Sequence, residues 1–108
     1  MNNKKLYEFQ ANICKALANP LRIEIINLLN GGEMSFGDIQ RQLDISKSNL
    51  SQHLSVMITN GLLEQRKEGT NSYFKLASGK VAFACQIMRE MLQENLNEKI
   101  KTFSLIDN

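Results

Sequence analysis

The stretch Ser46–Asn60, SKSNLSQHLSVMITN, constrains the fold most, because it reads as a helix with two very different sides. Leu50, Leu54, Met57 and Ile58 recur at i, i+4, i+7 and i+8, the spacing that places side chains on one side of an α-helix. That side is an anchor for a core. The other side carries Lys47, Ser48, Ser51, Gln52 and Ser55, hydroxyls and an amide with one cation, where a solvated helix more often carries Glu and Lys. Hydroxyls and amides both donate and accept hydrogen bonds, as contact with base edges in a DNA major groove requires. A serine-rich surface helix has the same composition, so the flanking elements must decide between the two.

Upstream, Ser35-Phe36-Gly37-Asp38 is a Ser-x-x-Asp start signal, with Ser35 as N-cap and Asp38 near the positive helix end. Ile39 and Leu43 continue a short helix, Asp44-Ile45 forms a turn, and Ser46 caps the helix that follows. A short helix, a turn and a second helix with a polar outer face over 35–60 is a helix-turn-helix. Gly61 closes it. The period then becomes strand-like over 62–76, where two runs flank Glu68-Gly69-Thr70-Asn71 as a hairpin with a polar, cationic tip. A two-stranded hairpin is marginal by itself and must lean on the helices. The sum is a winged helix.

The two ends are helical. Leu6, Phe9, Ile13, Ala16 and Leu17 predict a helix from about Lys4 to Leu17, with a thinner stripe of Tyr7, Ala11, Cys14 and Ala18 beside it. Asn19 caps a second helix with Pro20 at its first position, and Ile23, Ile25, Ile26, Leu28 and Leu29 make that helix the most buried one. Gly31-Gly32 ends it. A long helix from about Ser78 to Thr102 carries Val81, Ala84, Cys85, Met88, Met91, Leu92, Leu96, Ile100 and Phe103 at nearly heptad spacing. No sequence is left to cover that stripe except the first helix and a second copy, so the chain is expected to dimerise.

The fold class is therefore mainly α with a small β-hairpin wing, in the order α-α-α-α-β-β-α, as a single domain over 1–108. Hydrophobic residues at 43% and charged residues at 22% are ordinary globular values. Apolar runs stay far below the roughly 18 residues of a membrane span, and the start lacks a signal-peptide core, so a cytoplasmic protein with no membrane partner is expected. The net charge of +2 is uninformative as a total. Between Arg41 and Lys75, however, the cations Arg41, Lys47, Arg66, Lys67 and Lys75 outnumber Asp44, Glu64 and Glu68 where a reading surface would lie.

Several of these segments occur together in a known pattern. Ala-Asn-Pro-Leu-Arg-Ile from Ala18, Ser46-x-Ser48-x-x-Ser51-Gln52-His53-Leu54, Gly61-Leu62-Leu63, and Arg66-x-Glu68-Gly69 followed by Tyr73-Phe74-x-Leu76 resemble the ArsR/SmtB family of winged-helix repressors, over about Lys15 to Leu76. The resemblance implies a homodimer built on the first and last helices (1–18 and 78–108), binding to double-stranded operator DNA, and release by a metal or another inducer. It implies that Ser46, Lys47, Ser48, Asn49, Ser51, Gln52, His53 and Ser55 belong to the recognition helix, with His53 structural or phosphate-facing. It implies that Arg66, Lys67, Thr70 and Asn71 form the wing that touches backbone or minor groove. Two copies would read half-sites roughly 34–36 Å apart.

The departures bear on the inducer. Many relatives carry paired cysteines where this chain has Ser35-Phe36-Gly37, and others bind metal through histidines on the last helix, where this chain has none. One His and scattered carboxylates are a poor transition-metal set, Glu90, Glu94 and Glu98 read as a solvated face, and no metal or cofactor is expected. Cys14 and Cys85 lie on the two dimerisation helices and are read either as regulatory thiols or as small apolar side chains. Thiol-sensing relatives pair the last helix with a cysteine late in the second helix, where Asn27 stands here. No phosphate loop, Cys-x-x-Cys pair or nucleophile set points to an enzyme. The alternative reading is a winged helix used as a protein-interaction module.

Overall fold

Short polar side chains set where the helices start. The computed structural model describes residues 2–107, with side chains at all of these except 103 and 105–107. Met1 and Asn108, at the limits of the expected domain, and the Phe103 side chain of the expected stripe lie outside the described residues. Helix α1 (Asn3–Leu17) begins at the cap Asn2, whose side chain accepts from the Lys5 N–H at 2.9 Å. Helix α2 (Pro20–Leu29) begins at Asn19, which accepts from the N–H groups of Leu21 and Arg22, with Pro20 at the first position as expected.

Helix α3 (Phe36–Leu43) is capped by Ser35 and helix α4 (Lys47–Thr59) by Ser46, each accepting at 3.1 Å from the N–H three residues on. Between them Asp44 adopts a left-handed backbone at φ 52°, and the Gln40 side chain donates to the Ile45 carbonyl across the turn. Gly61, at φ 73°, turns the chain out of α4.

Strands β2 (Leu63–Glu68) and β3 (Asn71–Leu76) pair antiparallel from Leu63↔Leu76 to Glu68↔Asn71, leaving Gly69 and Thr70 at the tip. The hairpin does not lean on helices alone. A third strand, β1 (Met34–Ser35), adds to its other edge through Met34↔Phe74 and Ser35↔Tyr73, giving the order β1-β3-β2. Helix α5 (Gly79–Asp107) continues past the expected Thr102, since neither Gly nor Pro occurs after Lys80 to break it.

The core lies where α2, α3, α4 and the sheet meet. Ile25, Ile26, Ile39, Leu50 and Met57 are fully buried there, and Phe36 packs on Phe74 with tilted rings 6.4 Å apart. Helices α1 and α5 both rest on α2, and among the described residues they contribute only Ala16 and Ala82 to the buried set. Leu17, Val81 and Cys85 are partly buried against the core, but much of the remaining apolar surface is bare: Leu6, Tyr7 and Phe9 on α1, and Phe83, Met88, Leu92, Leu96 and Ile100 on α5 are all at least half exposed. The radius of gyration, 17.3 Å, exceeds the about 13 Å of a compact chain of this length. A 29-residue helix is about 44 Å long and extends well beyond the core it touches.

Candidate nucleic-acid interface

Three elements converge on one concave surface. The outer side of α4, one side of α3 and the inner face of the hairpin enclose a groove of about 690 Å³. Lys47, Ser51 and Ser55 line it from α4, Gly37, Gln40 and Arg41 from α3, and Gln65, Thr70, Asn71 and Ser72 from the wing. No carboxylate lines it, although Asp38 just outside pairs with Arg41. Such a surface combines two cations with hydroxyl and amide groups that donate and accept. It can hold a polyanion and still discriminate by hydrogen bonding.

Of the residues expected at this site, Lys47, Ser51, Ser55, Thr70 and Asn71 are brought together in the groove. Ser48, Asn49 and Gln52 are exposed elsewhere on α4, and Ser46 spends its hydroxyl on the helix cap. Lys67 is exposed on β2, paired with Ser72 in register. The first turn of α4 has N–H groups without helical partners, which favour an anion beside Lys47.

Two of the expected positions lie away from the groove. His53, expected as structural or phosphate-facing, sits at i+3 from Leu50 and so falls on the inner edge of α4, only 9% exposed. Its Nδ1 accepts from Arg22 Nε at 3.1 Å, and burial together with the neighbouring guanidinium holds its pKa below the usual imidazole value. Arg66 lies on the other face of the hairpin, because strand alternation puts it opposite to the side shared by Leu63 and Gln65. Its guanidinium donates to both carboxylate oxygens of Glu33, at 3.3 and 2.7 Å, and to Glu68 at 2.6 Å, while stacking 4.5 Å over the Tyr73 ring. The hydrogen bond from Arg66 holds the Glu33 carboxyl below the usual carboxylate range.

Gln65, Ser72 and Gln40 belong to the groove and were not anticipated, whereas Arg41 was expected among the cations of the reading surface. The period of two was the available signal: Gln65 shares a face with Leu63, and Ser72 with Phe74, and the two side chains are hydrogen-bonded at 3.2 Å. Cys14 is exposed on α1, and Cys85 is half-buried on α5 against the core. Among the described residues no three His, Cys, Asp or Glu side chains gather as a metal set, and no helix is long and apolar enough to cross a membrane.

The same order of parts occurs in known proteins. The profile of the bacterial regulatory protein family arsR matches residues 19–65, from the α2 cap to the first half of the wing. The transcriptional activator HlyU of Vibrio cholerae is 33% identical over 79 residues, 73% of this chain and 73% of that one. Its reduced form superposes with a TM-score of 0.73 at 31% identity, covering 82% of this chain and 93% of that one. The transcriptional repressor SdpR of Bacillus subtilis is 35% identical over 65 residues, 60% of this chain and 72% of that one. The solution structure of a homodimeric winged helix-turn-helix DNA-binding domain from Mycobacterium bovis superposes with a TM-score of 0.79 at 30% identity, covering 91% of this chain and 93% of that one. With a winged helix-turn-helix throughout, and with regulators rather than enzymes on the other side of each of these likenesses, the chain belongs to the ArsR family of bacterial regulatory proteins and is a transcriptional regulator.

Proposed function

We propose that the protein is a homodimeric, sequence-reading operator-binding repressor of the bacterial cytoplasm. The observation that carries this reading is the groove, in which uncharged polar side chains of α4 stand beside Lys47, Arg41 and the wing tip with no carboxylate in the lining. Ser48, Ser51 and Gln52 read base edges, Lys47 and Asn49 hold phosphates at the start of α4, and Lys67, Thr70 and Asn71 contact the flanking backbone. The dimer forms through α1 and α5, within 1–18 and 78–108, whose exposed apolar stripes need a cover, and the homodimeric state of the Mycobacterium bovis domain supports it. A bound dimer represses by occupying promoter DNA, which requires no further contact with the transcription machinery.

Fluorescence anisotropy on the DNA upstream of its own gene, at one fixed salt concentration, tests the reading. Replacing Ser51 and Gln52 by Ala is expected to cost roughly 1–3 kcal/mol of preference per base contact while leaving non-specific binding in place. A wild-type protein without sequence preference would overturn it. In vitro transcription separates repression from activation, the effect for which HlyU is named.

For release, thiol chemistry is the sharper of two readings, the other being that both cysteines are small apolar side chains: Cys14 is open to solvent on α1, and Cys85 lies half-buried on α5. Oxidant-sensitive DNA binding that disappears in Cys14→Ser or Cys85→Ser is the expected result; a response that survives both substitutions excludes it.

A further inference from the structure

Arg22 is half-buried on α2 and its guanidinium is spent on two acceptors from different elements. Nε donates to His53 Nδ1 on α4 at 3.1 Å, and Nη1 donates to the Ala16 carbonyl at 3.2 Å. Ala16 lies in the last turn of α1, where carbonyls have no helical partner, so this contact closes the end of that helix. The planar fork of an arginine holds two acceptors at a fixed separation, which a lysine cannot do. One side chain thus ties the end of α1 to the inner edge of α4, across a helix whose neighbours Ile25 and Ile26 are fully buried and do not give way.

The tie has a proton-sensitive end. Acceptance at Nδ1 requires a neutral imidazole, with its hydrogen on Nε2. A second proton on His53 turns Nδ1 into a donor facing a donor and sets two cations 3.1 Å apart. Among the described residues Arg22 is the charged group acting on His53, α1 presents the Ala16 carbonyl, and β2 presents Leu63 to the core, with Glu64, Arg66 and Glu68 on its other face.

We propose that Arg22 is a positioning residue that couples the α1 layer to the reading helix through His53 and the Ala16 carbonyl, and that protonation of His53 uncouples them and weakens DNA binding. The proposal rests on the operator-binding reading for its functional consequence. Its sign is opposite to that of simple electrostatics, since added positive charge normally strengthens DNA binding as pH falls.

His53 is the one histidine of the sequence, so imidazole signals in an NMR titration belong to it alone. The experiment follows that titration and the backbone amides of residues 15–19 between pH 7.5 and 5, with anisotropy on operator DNA at the same pH values, in wild type, Arg22→Met and His53→Asn. Asn keeps an acceptor near the Nδ1 position and does not titrate. The expected results are amide shifts at 15–19 that track the His53 titration in wild type and vanish in Arg22→Met, and a wild-type operator affinity falling about tenfold over the range while His53→Asn stays flat. Silence of those amides during the His53 titration overturns the coupling, whether or not DNA binds. Wild-type binding that is unchanged or tighter at low pH, and no different from His53→Asn, overturns the switch. Absence of DNA binding at every pH removes the operator reading and the switch with it, while the amide shifts still decide the coupling.

Discussion

At the scale of single residues, backbone strain and one buried ring dictate what substitutions do. Asp44 is the described non-glycine residue with positive φ, 52°, a conformation that costs an L side chain roughly 1 kcal/mol and glycine nothing. Asp44→Gly is therefore expected to raise stability by up to about 1 kcal/mol in urea unfolding, less what glycine adds to the entropy of the unfolded chain. Ser46→Ala removes the acceptor for the Asn49 N–H and is expected to cost about 1 kcal/mol by the same measurement. His53 gives a pH dependence with a definite sign. Its pKa in the fold lies below the ordinary imidazole value of 6.5, so above 6.5 it contributes nothing that varies with pH. Below 6.5 the unfolded chain takes up the proton first, and stability falls until the folded pKa is passed. Thermal unfolding between pH 7.5 and 5 should show this loss in wild type and less of it in His53→Asn.

At the scale of elements, the wing is fastened at its outer face by Arg66 between Glu33 and Glu68 rather than free to reach for DNA. Glu33→Gln removes the charged partner that joins the loop before β1 to the hairpin. The expected outcome is faster hydrogen exchange of the hairpin amides with little change in global melting temperature, because the pair is exposed and screened. The same element shows why the site was only partly legible in the sequence. Caps, the hairpin tip and the helical stripes were readable because each depends on neighbours within four residues. Strand β1 was not, since two residues carry no period and pair with Phe74 and Tyr73 far along the chain. The inward turn of His53 and the turn of Arg66 away from the groove are encoded in periods of 3.6 and 2, whereas residue type alone leaves His53 open between a structural and a phosphate-facing role and assigns Arg66 to the wing without choosing its face.

At the scale of the whole molecule, a 62 × 42 × 22 Å chain keeps its apolar stripes on the outside. A charge placed among them must be buried in a dimer but is harmless on a free surface. Leu92→Glu or Leu96→Glu is therefore expected to shift sedimentation from dimer to monomer, and to reduce operator affinity by orders of magnitude because one reading head loses the phosphate contacts of its partner. A folded monomer that keeps full affinity would contradict that expectation. In the proposed dimer, the uncovered face of α5 would make the regulator sensitive to its own abundance. Dimer burial is a mass-action gain, so a cell that makes few copies would hold a larger share of chains with Phe83, Ile87 and Met91 open to proteases and to aggregation. Synthesis rate and turnover would then act on operator occupancy more steeply than in proportion, and dilution at each cell division would become an input to the genes it controls.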